Sequence, residues 1–443
     1  MKETPSNTDY DVIIVGAGAA GLYTALCLLR ARPKLRLAIF ERQQDIGGRA
    51  FTFRQTIEKG VKLQWEAGAG RISTAHHRLH TLIRRYKLHV LPIGGDVNYI
   101  HTYGSQPEPN AFEPAIPAMI DTLAGLPQGD LAANTIRQLL TRIHGATKAE
   151  EFLIRFPYRA EVDIMRADMA LELFRGEMRK HEGYGICQEG LGAVMAGMEA
   201  EIRRRGGNLF THHELTALLQ NSAKDDVYAT FRTGSPKEGV ARPEGLVRAR
   251  HCVLALPHGA LCRLPALEQW RGLKHLRMAP LLRMYGVFPR SGGHVWYEGQ
   301  PGRVVTSEPV RYFIGGNAAI GSAQISYTDS QDALHWMKRL AEKGEKATGL
   351  EIVDQLRRLI TPDIPSPIFI KAHPWPEGTT YWLPGRYDPA EVSREAWQPL
   401  PDTLPGVHIC GESLSLRQGW IEGALEHAEG LCKWLLRGKR LER

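Results

Sequence analysis

The sequence predicts an α/β fold in which one parallel sheet is assembled from segments far apart in the chain, and three observations predict it. A β-branched run, Asp11-Val12-Ile13-Ile14-Val15, passes through Gly16-Ala17-Gly18-Ala19-Ala20-Gly21 into a helical pattern from Leu22 to Leu29. A second apolar run, Leu35 to Phe40, follows and ends in Glu41. Much later, His251 to Pro257 and Val407 to Cys410 return to short apolar runs of the kind buried on both faces of a parallel sheet.

The first three elements stand in the order of a Rossmann-type dinucleotide site: strand, G-x-G-x-x-G, helix. Gly16 permits the tight turn, Gly18 lets a pyrophosphate approach the backbone, and Gly21 lets helix and strand pack closely. The helix amino terminus offers free N–H groups and a positive dipole end to phosphates. Glu41 falls about twenty residues beyond Gly21, where a carboxylate meets a ribose hydroxyl and disfavours a 2′-phosphate. Just downstream, Asp45-Ile46-Gly47-Gly48-Arg49 resembles the second phosphate-contacting loop of the flavin amine oxidase family. The resemblance implies FAD, held without a covalent bond because no cysteine fits the position where covalent members attach it. Gly48 then gives close backbone approach, and Arg49 a charge-assisted contact.

Composition narrows the remaining classes. A chain of 443 residues exceeds one ordinary core, and 43% hydrophobic with 23% charged residues is the balance of a soluble globular protein. No run of eighteen apolar residues appears, and Met1 to Tyr10 lack the apolar stretch of a secretory signal, so neither a membrane nor export is expected and the protein is read as cytoplasmic. The formal charge of +8 is scattered, in short runs such as Arg203-Arg204-Arg205 and Arg437-Gly438-Lys439-Arg440, which argues against nucleic acid as a partner. The six cysteines form no C-x-x-C pair and read as buried thiols. His76, His77, His212 and His213 come in adjacent pairs that share no helix face, so no metal site is predicted.

The remaining elements follow in order. A charge-rich helical stretch runs from about Phe112 to Glu182, punctuated by Pro114, Pro117, Pro127 and Pro157. Gly183 to Gly192 is turn-rich, and Ala193 to Arg205 reads as an amphipathic helix. Strands are predicted at Leu215 to Leu219 and Val227 to Phe231, joined by a hairpin turn over Asn221 to Asp226 and followed by a polar, mobile loop from Gly234 to Gly245. Residues 265 to 400 mix strands with Pro- and Trp-rich loops. The predicted architecture is discontinuous. Residues 1–70, 200–262 and 402–443 form an FAD-binding domain, 71–111 and 263–401 a mixed-sheet substrate domain, and 112–199 a helical insertion.

The carboxy terminus makes the resemblance more specific. Cys410-Gly411-Glu412-Ser413, then Gln418-Gly419-Trp420-Ile421-Glu422-Gly423-Ala424 before a last helix, looks like the flavin-ribityl segment of L-amino acid oxidases, a branch of the same family. Glu66-Ala67-Gly68-Ala69-Gly70-Arg71 is similar to the stretch whose Arg grips the substrate carboxylate, and Ser326-Tyr327-Thr328-Asp329-Ser330 to the strand end whose Tyr hydroxyl shares it. Together these segments are most similar to the bacterial tryptophan oxidases. The resemblance implies Ala20, Arg42, Gly70, Arg71, Gly411, Glu412, Trp420 and Ile421 among the cofactor contacts, with Leu215 covering the adenine. It implies a substrate cage of Arg71, Tyr327, Trp375, Gly419 and Trp420.

One position departs from the family. Where members carry a Lys that holds a water near flavin N5, Pro280-Leu281-Leu282-Arg283 places Arg283, which can position water or substrate but not act as a base. Lys274 is the other candidate. The expected reaction is oxidative deamination of an L-amino acid by O2, releasing ammonia, a 2-oxo acid and hydrogen peroxide. Several nearby tryptophans favour a bulky or aromatic side chain, whereas Glu377 or Glu422 facing the pocket would suit a basic one. The alternatives are an amine or polyamine oxidase, an amino-acid monooxygenase, and a redox-silent FAD-binding regulator. Family members are often dimers, which leaves a homodimer open.

Overall fold

The computed structural model describes residues 9–94, 97–101, 105–109, 115–177, 183–221, 226–234, 245–300, 302–437 and 441. Pro114, most of the Gly234–Gly245 loop, the hairpin turn at 222–225 and the basic tail at 438–440 lie outside them.

The first strand, Asp9–Val15, pairs in parallel with Leu37–Phe40 on one side and with Gly245–Leu254 on the other. Asn208–Phe210 extends the sheet beyond Leu37–Phe40. Gly245–Leu254 uses its first half to pair antiparallel with Asp226–Thr233, and its last three residues to pair in parallel with Val407–Ile409. His213–Asn221 completes the sheet as an antiparallel edge, so the two strands of the predicted hairpin are paired. Strand alternation decides what each face meets. Val12, Ile14, Leu37 and Ile39 face a core shared with the helices Ala19–Ala31, Leu191–Arg204 and Ile421–Leu436. Ile13, Val15, Ala38 and Phe40 face the other side, where Phe40 stacks on Phe231 at 4.2 Å and on Phe210 at 5.2 Å. Residues 191–199, grouped by sequence with the helical insertion, thus pack on the first helix.

A second, six-stranded sheet runs in the order Phe369–Trp382, Leu276–Val287, Ser322–Asp329, Tyr312–Gly315, Arg303–Thr306, Asn98–Ile100. Its back carries a helix over Ser330–Leu359, kinked at Gly344 where φ is 78°. The reading of residues 265 to 400 as strands and loops missed this helix. Ala333, Trp336, Ile352, Val353 and Leu356 pack it against Leu282, Met284 and Ile325. Alternation then turns Arg283 and Tyr285 to the front face, away from that helix.

Six helices between Ala115 and Glu177 form their own core around Leu139, Phe156 and Phe174, joined by Ala279 and Tyr381 of the second sheet. The Gly183–Gly192 stretch, read as turns, contains a strand at Tyr184–Cys187 that pairs with Ile72–Ser73 and Val90–Ile93. No helix among the described residues is long and apolar enough to cross a membrane.

Candidate functional site

The glycine turn after the first strand has the geometry a phosphate needs. Gly16 has φ 103°, and a Cβ there would lie 2.5 Å from the Ala255 carbonyl oxygen. A Cβ on Gly21 would lie 2.0 Å from the Gly16 oxygen and 3.2 Å from Ala255 Cβ, so these two glycines serve close packing. Gly18, Gly48 and Gly411 are different. A Cβ on each would meet nothing nearer than 3.9, 3.6 and 3.9 Å respectively. Gly18 bridges Gly47, and Gly411 borders Ala20 in the first turn of the Ala19–Ala31 helix. That helix has neither a capping side chain nor an acid in its first turn. Three glycines from separate segments therefore border open space at an uncapped helix end, which fits a pyrophosphate.

Glu41 stands at the rim of this cradle. Its Oε2 accepts the Ala17 N–H at 2.8 Å and its Oε1 the Gln43 N–H at 2.8 Å. Leu215, half-buried beside a register shift and opposite Phe231, lies two residues from His213, whose N–H donates to the Glu41 carbonyl at 2.8 Å. Arg42 is exposed and turns to Glu214 at 3.9 Å. Arg49 spends its terminal nitrogens within the protein, on Glu412 Oε2 at 2.8 Å and the Gly378 carbonyl at 2.9 Å. Glu412 in turn accepts from Gly419 N–H at 2.8 Å and Thr380 Oγ1 at 3.2 Å. Ile421, buried, opens the last helix.

The second half of the site is built by side chains. Arg71 precedes the Ile72–Ser73 strand, and its guanidinium carbon lies 5.3 Å from the Trp420 ring, 5.4 Å from Tyr184 and 5.5 Å from Tyr158. Tyr184 stacks on Trp420 at 6.1 Å, and Tyr158 meets Tyr327 edge-on at 5.4 Å. Tyr327 pairs in register with Arg283, whose guanidinium carbon is 4.5 Å from its ring. Arg283 is 8% exposed, donates from Nη1 to the Glu66 carbonyl at 3.2 Å, and leaves its Nε without a partner. Arg71, Arg283, Tyr327 and Trp420 are thus brought together through Tyr158 and Tyr184, which the sequence reading missed. Trp375 donates from Nε1 to the Ala67 carbonyl at 2.7 Å, and its ring would lie 3.3 Å from a Cβ on Gly68. A Cβ on Gly70 would lie 3.2 Å from Arg283 Nη1, so Gly70 makes room for that guanidinium.

Supporting groups fix the cage. Asp329 accepts the N–H groups of Arg159 and Ala160 at 2.9 Å each, tying the Tyr158 turn to the strand that bears Tyr327. Burial pushes its carboxyl up to about 6, against those two N–H groups. Glu66 accepts the Leu191 N–H at 2.8 Å and the Thr52 hydroxyl at 3.1 Å, and burial raises it to about 7. His76 lies edge-on to Trp420 at 4.9 Å, and burial, then His80, Arg417 and Arg71, lower it to about 4, so it is neutral. Neither Glu377 nor Glu422 turns to the cage. Glu377 pairs with Arg263 at 3.0 Å, and Glu422 caps the His77–Arg85 helix by accepting the Arg78 and Leu79 N–H groups at 3.0 Å each. Lys274 is exposed on a short 3-10 turn and joins none of these contacts.

Comparison with known proteins adds to this geometry. The family described as flavin containing amine oxidoreductase matches residues 19–432. Two solved structures align over 97% of this chain at 18% identity. One is wild-type putrescine oxidase bound to putrescine, with a TM-score of 0.72 over 99% of that chain. The other is cyclohexylamine oxidase from Brevibacterium oxydans IH-35A, with a TM-score of 0.71 over 100% of that chain. At this identity they show the shared fold. Thiamine thiazole synthase of Sclerotinia sclerotiorum is 46% identical over 51 residues, which are 12% of this chain and 16% of that protein's length.

Proposed function

The chain belongs to the flavin containing amine oxidoreductase family, whose cofactor is FAD, and from that premise we propose that it is an oxidase of L-amino acids. The observation that carries this reading is the charge of the cage. Two guanidiniums, Arg71 and Arg283, are held against one chain of aromatic rings, while Glu66, Asp329, Glu377, Glu412 and Glu422 are engaged elsewhere. Such a site attracts a carboxylate and repels a second amine. With Glu377 and Glu422 turned away, a bulky apolar side chain suits the cage better than a basic one.

FAD supplies the two-electron acceptor, which oxygen regenerates with release of hydrogen peroxide. The protein contributes position. Arg71 takes the substrate carboxylate as a fork, and the Tyr327 hydroxyl shares it. The Gly419 carbonyl receives an amine N–H, and Trp420, Tyr184 and Trp375 wall the α-carbon from bulk water. Neutral His76 supports the Trp420 ring without adding charge beside the amine. Arg283 cannot accept a proton, so its orphan Nε positions a water or oxygen species. Water then hydrolyses the released imine to a 2-oxo acid and ammonia.

A second reading, an oxidase of simple amines, is favoured by putrescine oxidase and cyclohexylamine oxidase, with which this chain shares its fold. Peroxide release from purified yellow protein separates the two. The panel is all twenty L-amino acids, selected D-amino acids, spermidine, putrescine and cyclohexylamine, each with Arg71→Ala alongside. Turnover of an L-amino acid that collapses in Arg71→Ala is the expected result. Turnover of an amine that Arg71→Ala leaves intact would replace it with the second reading.

A further inference from the structure

Tyr158 reaches the cage from a turn that joins the helix Ala146–Leu153 to the short helix Arg159–Asp163. Two buried side chains placed by the Tyr327 strand grip that turn at both ends. Arg311, bridged through its backbone to Tyr327, donates from Nη1 to the Ile154 carbonyl at 3.0 Å, where the first helix stops. Asp329, two residues beyond Tyr327, accepts the first two N–H groups of the second helix, Arg159 on Oδ1 and Ala160 on Oδ2. Each charge suits the helix end it meets, a cation on the carbonyl and an anion on the N–H groups. Arg311 is itself fixed by Asp332, whose Oδ2 accepts from Nε at 3.0 Å and from Nη2 at 2.9 Å. The backbone at both grips is left-handed. Arg311 has φ 53° and Ser330, next to Asp329, has φ 50°, two of the four non-glycine residues with positive φ among those described. Such backbone persists only where surrounding contacts over-determine it, and it gathers where geometry serves function. Within the turn Phe156 is buried in the helical core, whereas the Tyr158 ring stands against Arg71 and Tyr327.

We propose that Asp329 and Arg311 are positioning residues, which fix the Tyr158 turn so that its ring orients the Arg71 guanidinium toward the substrate carboxylate. The helical insertion thereby helps to set substrate affinity, although neither residue touches substrate. The inference rests on the oxidase reading of the cage. Loosening either grip leaves the glycine cradle as it is, so FAD stays bound while the Arg71 fork loses its fixed angle. Asp329→Asn keeps the size of the side chain but offers one oxygen, and its NH2 meets the second N–H donor to donor. Arg159→Pro attacks the same contact from the other side. It removes one N–H at the first helical position, where proline is tolerated, and Tyr158 before it is already extended, with φ −112° and ψ 102°. Arg159→Ala loses the same ion pairs, to Glu150 and Asp163, but keeps the N–H.

The test is a double-mutant cycle on the FAD-loaded full chain, read as KM and kcat for the L-amino acid that the wild type turns over. Asp329→Asn is expected to raise KM about tenfold with a smaller change in kcat and unchanged flavin absorbance. Arg311→Lys, which keeps the charge but loses the fork, moves KM the same way. Tyr158→Ala alone gives a loss of similar size, and adding Asp329→Asn to it changes KM by less than about twofold, because the ring through which Asp329 acts is gone. Arg159→Pro follows Asp329→Asn, while Arg159→Ala stays close to wild type, and Arg159→Pro replaces Asp329→Asn in the cycle if that chain does not fold. Additive effects of Asp329→Asn and Tyr158→Ala would overturn the proposal, as would an Asp329→Asn enzyme with wild-type KM and only a lower Tm. Wild-type turnover of an amine and of no L-amino acid would sink the oxidase reading before any variant is made. The same cycle on that amine then decides the positioning role alone, non-additivity keeping it and additivity ending it.

Discussion

The cradle and the cage sit against the same expected cofactor but are made in opposite ways. The cradle is backbone: Gly16 and Gly21 allow close packing, Gly18, Gly48 and Gly411 leave room, and the uncapped Ala19–Ala31 helix supplies N–H groups. The cage is side chain: Arg71, Tyr158, Tyr184, Arg283, Tyr327 and Trp420 come from six segments and touch ring to guanidinium. A backbone site is defined by what is missing and tolerates no added atom. A side-chain site is defined by what is present, so it degrades by degrees and can change its substrate without losing its fold.

Substitutions can break or sharpen that contrast. The largest effect is expected at Gly21, where a Cβ would meet the Gly16 oxygen at 2.0 Å. Gly21→Ala costs about 3 kcal/mol or more in chemical denaturation and purifies without flavin colour. Gly18→Ala, whose Cβ enters open space, keeps the apo fold and loses FAD affinity alone. Equal unfolding midpoints for the two would break the division between packing and ligand glycines. Next, Arg71→Ala lowers kcat/KM for L-amino acids about a hundredfold, or about 3 kcal/mol, with FAD retained. Arg71→Lys recovers only part of it, because the fork is lost.

Third, Glu66 couples the cage to pH. Its folded-state pKa, raised to about 7, exceeds that of the unfolded chain, so the folded protein binds the extra proton between the two values. Stability therefore falls as pH rises from about 4.5 to about 7, by up to about 3 kcal/mol. Glu66→Gln should flatten this slope in urea titrations at a series of pH values, and an unchanged slope would remove Glu66 from the account. The smallest effect is expected at Trp375→Phe, which keeps the ring wall but drops the bond to the Ala67 carbonyl. It costs about 1 kcal/mol in stability and shifts KM more than kcat.

The same contrast explains what the sequence made legible. Strand, glycine turn, helix and Glu41 are neighbours along the chain, so spacing alone places them. Glu41 indeed reaches back to Ala17 N–H. Arg71, Tyr327 and Trp420 could be named because short motifs surround them. Tyr158 and Tyr184 carry no motif. Tyr184 lies in a glycine-rich stretch that becomes a strand only through pairing with Ile72–Ser73 and Val90–Ile93. Local spacing cannot see such partners. Arg49 was assigned by type to the pyrophosphate or the flavin region; its ion pair with Glu412 depends on a contact across 363 positions of sequence, which local spacing does not reveal. Glu422 and Glu377 were weighed as pocket acids, and their real partners, a helix end and Arg263, are likewise set by topology. The helix Ser330–Leu359 was overlooked because Gly344 interrupts its periodicity.

Glu412 gathers Arg49, Thr380 and Gly419 on one carboxylate, and it lies near the end of the chain together with Val407–Ile409, Trp420 and the last helix. During synthesis the first strand and helix leave the ribosome long before the Ile421–Leu436 helix that packs in the same core. Until then the nascent chain carries an apolar helix flank with nothing to cover it, which is a surface chaperones recognise. A chain stopped short of Gly411 would lack the glycine that borders Ala20 at the cradle.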